Sequence, residues 1–288
     1  MSRNNTKRLG SPSVNIRTDE GTPNPPATVG NLIGDISLVV PTQIVELPSK
    51  GKFYAQDSTL FQRETVEIKA LTAREEDILS STEYIKSGIV FDKLLESIII
   101  DKSINHRELL SGDKNAILIA ARISGYGPQY TVTKTCPHCG EEGEFEYDLN
   151  IAKPKEVDLE SADLEYRDGL FWIHLPKSNV KAGIRLMNGQ DLKVLETQRE
   201  KKQKLSLEST QLLDFLRHVL VEAGGSRDPN LLNQFIDIMP AGDSRKIRKT
   251  YNDVMPDLDT KQSLVCSACS REHESEVWFA LNFFWPDT

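Results

Sequence analysis

The sequence predicts an α+β protein: two tandem pseudo-repeated strand–helix–helix–hairpin units, joined by a four-cysteine zinc-ribbon-like site and preceded by an extended N-terminal arm. Three observations lead there. Apolar residues alternate at period two in short segments and recur at period 3.6 in others, so strands and helices are both present. The order of these segments repeats in the second half. All four cysteines fall in two Cys-x-x-Cys motifs, one per half. The 288 residues, 38% hydrophobic and 27% charged, have an ordinary globular composition, and the chain is long enough to bury a core without disulfide staples. A formal charge of −8 argues against a dedicated nucleic-acid binder, whose domains carry a basic footprint. No apolar run approaches the ~18 residues of a membrane span, and the basic start, MSRNNTKRLGSPS, lacks the apolar stretch of a secretory signal.

Residues 1–43 read as an extended or disordered arm. Pro12, Pro23, Pro25, Pro26, Gly10, Gly21, Gly30 and Gly34 lie there among Ser, Asn and Thr. Such a stretch buries too little apolar surface to offset the entropy of ordering itself. Two readings stay open: a disordered tail, or an arm that orders against a partner.

The first unit spans 44–160. Ile44, Val45 and Leu47 lead into a turn-rich segment, Pro48-Ser49-Lys50-Gly51-Lys52-Phe53-Tyr54. Residues 65–71 alternate as a strand, and Thr72 with Glu75 forms a capping box that starts a helix. Phe91, Leu94, Leu95, Ile98 and Ile99 make one apolar helical stripe. Gly112-Asp113 ends one element and caps the next, which carries Ile117, Leu118, Ala121 and Ile123. Gly125-Tyr126-Gly127-Pro128 breaks that helix. A strand at 130–135 runs into Cys136-Pro137-His138-Cys139-Gly140, and 144–150 reads as its return strand.

The second unit, 161–288, follows the same order. Residues 182–187 form a strand, Asn188 caps a helix, and Leu212, Leu213, Phe215, Leu216, Val219 and Leu220 form a stripe. Gly224-Gly225 ends it, and Asp228-Pro229 is an N-cap with proline at the first helical position. Gly242-Asp243 precedes a helix with Ile247, Tyr251 and Val254. Then come Ser263-Leu264-Val265, Cys266-Ser267-Ala268-Cys269 and a return strand at 276–282. Gly112 lies 24 positions before Cys136, and Gly242 lies 24 before Cys266. Two units are too few, and the period too long, for a solenoid; the pattern is that of a tandem duplication.

The duplication gives the cysteines their meaning. Cys136, Cys139, Cys266 and Cys269 supply four thiolates from two strand–knuckle–strand hairpins, the closed tetrahedral set that suits structural Zn²⁺. Pro137 and Gly140 are residue types that such tight turns accept. A redox dithiol sits at a helix start, whereas both motifs here follow strands. Structural disulfides need an oxidising compartment. His138 and His273 read as surface residues, because four cysteines already close the shell. A closed shell keeps no position for water, so the metal stabilises rather than catalyses.

No phosphate loop, His-Glu-x-x-His or Gly-x-Ser-x-Gly occurs, and His106, His174 and His218 are scattered, so no catalytic residue is assigned and the chain reads as a non-enzyme. Arg245-Lys246-Ile247-Arg248-Lys249 reads as a solvated helix face, or else one that pairs with an acidic surface. The aromatic end, Trp278-Phe279 to Phe283-Phe284-Trp285, reads as a core strand or as an exposed anchor for a neighbouring subunit.

The segments Leu47-Pro48-Ser49-Lys50-Gly51-Lys52-Phe53-Tyr54 and Val66-Glu67-Ile68-Lys69-Ala70-Leu71-Thr72-Ala73-Arg74-Glu75-Glu76-Asp77-Ile78-Leu79 resemble the baseplate hub and hub-assembly family of T-even-like contractile-tailed phages. Phe91-Asp92-Lys93-Leu94-Leu95-Glu96-Ser97, Gly125-Tyr126-Gly127 and the first Cys-x-x-Cys continue the likeness, close over 44–150 and looser beyond. The resemblance implies a structural role in a virion tail baseplate assembled in the host cytoplasm. The partners it implies are other hub and tail proteins and copies of the chain itself, with no small-molecule substrate. A transient assembly factor absent from the virion is the alternative, and a zinc-ribbon nucleic-acid binder is a third. The resemblance supplies no catalytic residues.

Overall fold

Period-two segments become short antiparallel strands and period-3.6 segments become helices packed over them. The computed structural model describes residues 28–33, 36–155, 157, 164–206, 208, 210–277 and 281–284. It is a mixed α and β architecture with several small antiparallel sheets.

The first sheet has the order β1-β2-β3, with β1 at Thr28–Ile33, β2 at Ile36–Glu46 and β3 at Thr65–Lys69. The first part of β2 pairs with β1 and the remainder with β3, so a β-hairpin projects from the sheet. The boundary expected at residue 43 therefore falls inside a strand. Gly30, one of the glycines of the expected arm, pairs with Val39 within the ladder. Helices α1 (Ala73–Ser80), α2 (Thr82–Lys86), α3 (Val90–Ile98) and α4 (Ser111–Tyr126) follow. The stripe on α3 buries Leu94, Leu95 and Ile98, while Ile99 leaves the helix and bridges Ile68 of β3. Strands β4 (Gln129–Thr135) and β5 (Glu142–Asp148) form the first Cys-x-x-Cys hairpin, and the short β6 (Lys153–Pro154) follows.

Beyond residue 163, β7 (Leu164–Arg167), β8 (Leu170–Leu175) and β9 (Val180–Ile184) lead to α5 (Gly189–Lys204) and α6 (Gln211–Val219). Next come β10 (Leu220–Ala223), α7 (Pro229–Ile238) and α8 (Ala241–Val254). The second sheet runs β10-β9-β8-β7. Strands β11 (Leu258–Asp259), β12 (Gln262–Val265) and β13 (Glu272–Ser275) follow, β12 and β13 forming the second Cys-x-x-Cys hairpin. The return strand expected at 276–282 is thus placed earlier. Residues 278–280 lie outside the described residues, and Leu281–Phe284 is a 3₁₀ turn. Phe283 and Phe284 are fully buried against the first half, with the Phe283 ring 5.1 Å from Tyr130 and the Phe284 ring 6.0 Å from Phe91. They are core residues and not an exposed anchor.

Local hydrogen bonds explain where the helices start. The buried Glu75 carboxylate accepts from the Thr72 backbone N–H (3.0 Å), from Ser97 and from Lys69 (2.7 Å). Asp191 does the same at the start of α5, accepting from the Asn188 N–H (3.0 Å) and twice from Arg185 (2.7 Å each). Burial pushes the Glu75 pKa up, but the hydrogen bonds from Lys69, Ser97 and Thr72 outweigh it and hold it at about 2.

The Gly-Asp pairs act differently from the sequence expectation. The N-caps of α4 and α8 are Leu110 and Pro240, and the aspartates lie in the first helical turn, fully buried. Asp113 accepts from the Ser49 N–H (2.9 Å), the Ser49 hydroxyl (2.6 Å) and the Tyr54 hydroxyl (2.5 Å). Asp243 accepts from the backbone N–H groups of Lys177 and Ser178, both at 2.8 Å. Each aspartate therefore ties its helix to the Leu-Pro turn that follows a strand of its own half. At the first of these turns Gly51 has φ +69° and a Cβ there would lie 2.2 Å from the Arg63 nitrogen, so no other residue fits.

One hydrophobic cluster spans both halves. Along the seam β6 pairs with β11, the Lys155 N–H donates to the Asp257 carbonyl (2.7 Å), and the Gln262 amide pairs with the Asp148 backbone (3.0 and 2.8 Å). A Cβ on Gly112 would meet the Pro256 carbonyl oxygen at 2.0 Å, so the start of α4 touches the second half backbone to backbone. This seam aims both Cys-x-x-Cys hairpins at one point.

Two stability measurements check these nodes. Asp113→Ala strands three buried donors and is expected to lower the unfolding free energy by about 3 kcal/mol or more in denaturant titrations, with Tyr54→Phe costing about 1–2 kcal/mol. Glu75, held at about 2 in the fold, contributes stability that is present above about pH 4.5 and lost as pH falls through about 2. Glu75→Gln should flatten that acid limb of the stability curve.

Candidate metal centre

Each Cys-x-x-Cys sits at the tip of a hairpin closed by the same pair of backbone bonds. The Cys136 N–H donates to the Glu141 carbonyl (2.8 Å) and the Gly140 N–H to the Cys136 carbonyl (3.0 Å). The Cys266 N–H donates to Arg271 (3.0 Å) and the Ser270 N–H to Cys266 (2.8 Å). Gly140 and Ser270 occupy the same position in the two turns, with φ of +77° and +55°. The left-handed residue turns the chain so that both sulfurs of one motif face the same side.

The sulfurs of Cys136, Cys139, Cys266 and Cys269 all lie within 4.8 Å of one another. Cys136 Sγ is 3.9 Å from Cys269 Sγ, and Cys139 Sγ is 3.9 Å from Cys266 Sγ. A tetrahedral ion with metal–sulfur bonds of about 2.3 Å separates its sulfurs by about 3.8 Å. The donor set therefore fits a metal ion, and none of the four cysteines is in a disulfide. Cys136 and Cys266 are buried, Cys269 is half-buried and Cys139 is exposed. Backbone N–H groups of Cys139 and then His138 draw the Cys136 thiol below its ordinary value. Four thiolates this close repel one another unless a cation stands between them.

A polar clamp below the sulfurs went unread in the sequence. Lys134 of β4 donates to the Tyr147 hydroxyl (2.7 Å) and to Ser275 of β13 (3.3 Å), its ammonium 5.0 Å from the centre of the Tyr147 ring. The Tyr147 and Ser275 hydroxyls are 2.7 Å apart. Lys134 and Ser275 are separated by 141 positions, so no local pattern announces the pair. His273 is half-buried and not a surface residue: its ring stands edge-on to Phe145 at 5.2 Å, and its Nδ1 is buried without a hydrogen-bond partner. His138 is exposed, its ring 6.1 Å from that of His273. The remaining histidines are dispersed, His106 by η-turn 106–108, His174 on β8 and His218 on α6.

Fold and site together define an α+β protein with two hairpins converging on a four-cysteine cluster able to hold a metal ion. Residues 40–285 match the model of a family described as T4 bacteriophage base plate protein, and the chain belongs to that family. No curated protein and no solved structure matches it. Membership places the chain in the virion tail baseplate among other baseplate proteins. Among the described residues no helix is long and apolar enough to cross a membrane.

Purified protein is expected to carry about one metal ion per chain. Cys136→Ser together with Cys266→Ser should abolish it by elemental analysis and lower the melting temperature. Unchanged metal content would reject the site.

Proposed function

We propose that the chain is a structural, non-enzymatic component of the hub of a contractile-tail baseplate. The family match over residues 40–285 carries this reading. In it the ion held by Cys136, Cys139, Cys266 and Cys269 is Zn²⁺, and its role is mechanical. Zinc supplies no redox chemistry and no preferred geometry beyond the one its ligands impose, which suits a permanent staple.

The two halves, 44–160 and 161–288, are read as products of a duplication. Three features in the same order support it: the Leu-Pro turns at 47–48 and 175–176, the acidic residues Glu75 and Asp191 that close the helix starts, and the aspartates Asp113 and Asp243 that hold those turns. Their boundary near residue 160 lies outside the described residues. The staple locks the two related halves into one rigid body, and the segment before residue 44 engages neighbouring tail proteins.

Mass spectrometry of purified virions tests the hub reading. The chain is expected at stoichiometric level in the mature particle. Its presence in assembly intermediates and absence from finished virions would overturn the reading in favour of a transient assembly factor.

A further inference from the structure

We propose that the outer face of α8 and the outer face of β5 are the two complementary sides of a contact between copies of this chain. The inward face of α8 is fixed by Ile247, Thr250, Tyr251 and Val254, all buried. Its outward face presents Arg245, Arg248 and Lys249, exposed at i, i+3 and i+4. None of the three forms an ion pair with any described residue, although the chain has eight more acidic than basic groups.

The helix at the corresponding place in the first half behaves differently. Counting 130 positions back, as between the two cysteine pairs, Arg248 and Lys249 fall on Leu118 and Ile119 of α4. Both are buried, and α4 packs against β2 and the turn at 281–284. One helix has its outer face covered by the chain itself. The other keeps that face exposed, with Arg248 and Lys249 in place of the two apolar residues and Arg245 in place of Asn115.

The same chain carries a matching anionic surface. Glu142, Glu144 and Glu146 alternate on β5 with the inward Phe145 and Tyr147, so all three are exposed on one face, opposite Thr135, Thr133 and Thr131 of β4. None of them forms an ion pair with a described residue. Alternate residues of a strand are about 6.8 Å apart. Residues three to four apart on a helix are about 5–6 Å apart, within the reach of arginine and lysine side chains. Three carboxylates thus face three cations at compatible spacing. A polyphosphate would meet the −8 field of the whole chain, whereas a second copy brings a local neutralising strip whose remaining charge is screened beyond about 10 Å at 0.1 M salt.

The two faces belong to different elements, so the contact is heterologous. Each copy offers its acidic face to one neighbour and its basic face to another, which builds a ring or an open row. The inference does not rest on the hub reading, since it concerns purified protein and not virion content.

Sedimentation of the full chain at several salt concentrations tests it. Concentration-dependent association is expected at about 50 mM salt, with dissociation to monomer by about 500 mM. Glu144→Lys/Glu146→Lys and Arg245→Glu/Arg248→Glu/Lys249→Glu should each weaken association at least about tenfold, while an equimolar mixture of the two re-associates because opposite charges face each other again. Circular dichroism and metal content verify that both variants fold, and Glu144→Gln/Glu146→Gln should weaken association in the same direction. A chain that stays monomeric at low salt overturns the proposal, as does a variant mixture that fails to re-associate. So does salt-sensitive retention on nucleic acid that the α8 variant loses while self-association is unchanged.

Discussion

Two Cys-x-x-Cys motifs, their paired sulfurs 127 and 133 positions apart in sequence, meet within 4.8 Å, and the contacts between the two halves are organised around that convergence. Holding such distant segments together is an entropic problem before it is a chemical one. A cross-link that closes a loop of this length removes about 5 kcal/mol of conformational freedom from the unfolded chain. The fold reaches the arrangement before any ion is considered. The β6–β11 pairing, the Gln262 amide on Asp148 and the Lys134–Tyr147–Ser275 clamp bring the hairpins into register from the base upward. The sulfurs then lie where a metal ion could be held, and as thiolates they would repel one another without a cation between them.

Buried acids carry the second layer of organisation. Asp113 and Asp243 lie in the first turns of α4 and α8, where the positive end of the helix dipole favours a carboxylate. Their acceptor oxygens are used on turns from elsewhere in the same half. An apolar side chain at these positions fills space equally well but leaves the N–H groups of Ser49, Lys177 and Ser178 without acceptors. These polar nodes therefore specify which turn meets which helix, a choice that the surrounding leucines and isoleucines leave open. Gly51 serves the same end by allowing the turn at 49–52 to press against residues 60–63.

What could be read from the sequence follows from how local each signal is. The Thr72–Glu75 cap, the α3 stripe up to Ile98, Asp228-Pro229 and the strand preceding each Cys-x-x-Cys depend on neighbours within four residues, and each appears as expected. The convergence of the four cysteines was legible because tetrahedral sulfur ligation names its own ligand set. Non-local features were not. Residues 28–33 pair antiparallel with 36–41 although prolines and glycines around them suggest an arm, because pairing across β2 decides the matter. Phe283 and Phe284 pack under the first half and not their own, a destination fixed by the shape of the core. Asp113 and Asp243 look like caps in the sequence, and only their distant partners reveal them as ties.

The helices α4 and α8 bury their inner faces alike and differ in what meets their outer faces. Both helices keep the inward residues that bury against their sheets, Ile117 and Ile247 among them, and both keep the aspartate of the first turn. Packing constrains that inner face, where a lost methylene costs about 1 kcal/mol. The outer face is free of that constraint and takes its chemistry from whatever covers it. On α4 the cover is the chain itself, so Leu118 and Ile119 are apolar and buried. On α8 exposed charge keeps the face soluble until a surface of opposite sign meets it. Among the described residues no acidic side chain pairs with Arg245, Arg248 or Lys249, which keeps these cations available for a partner.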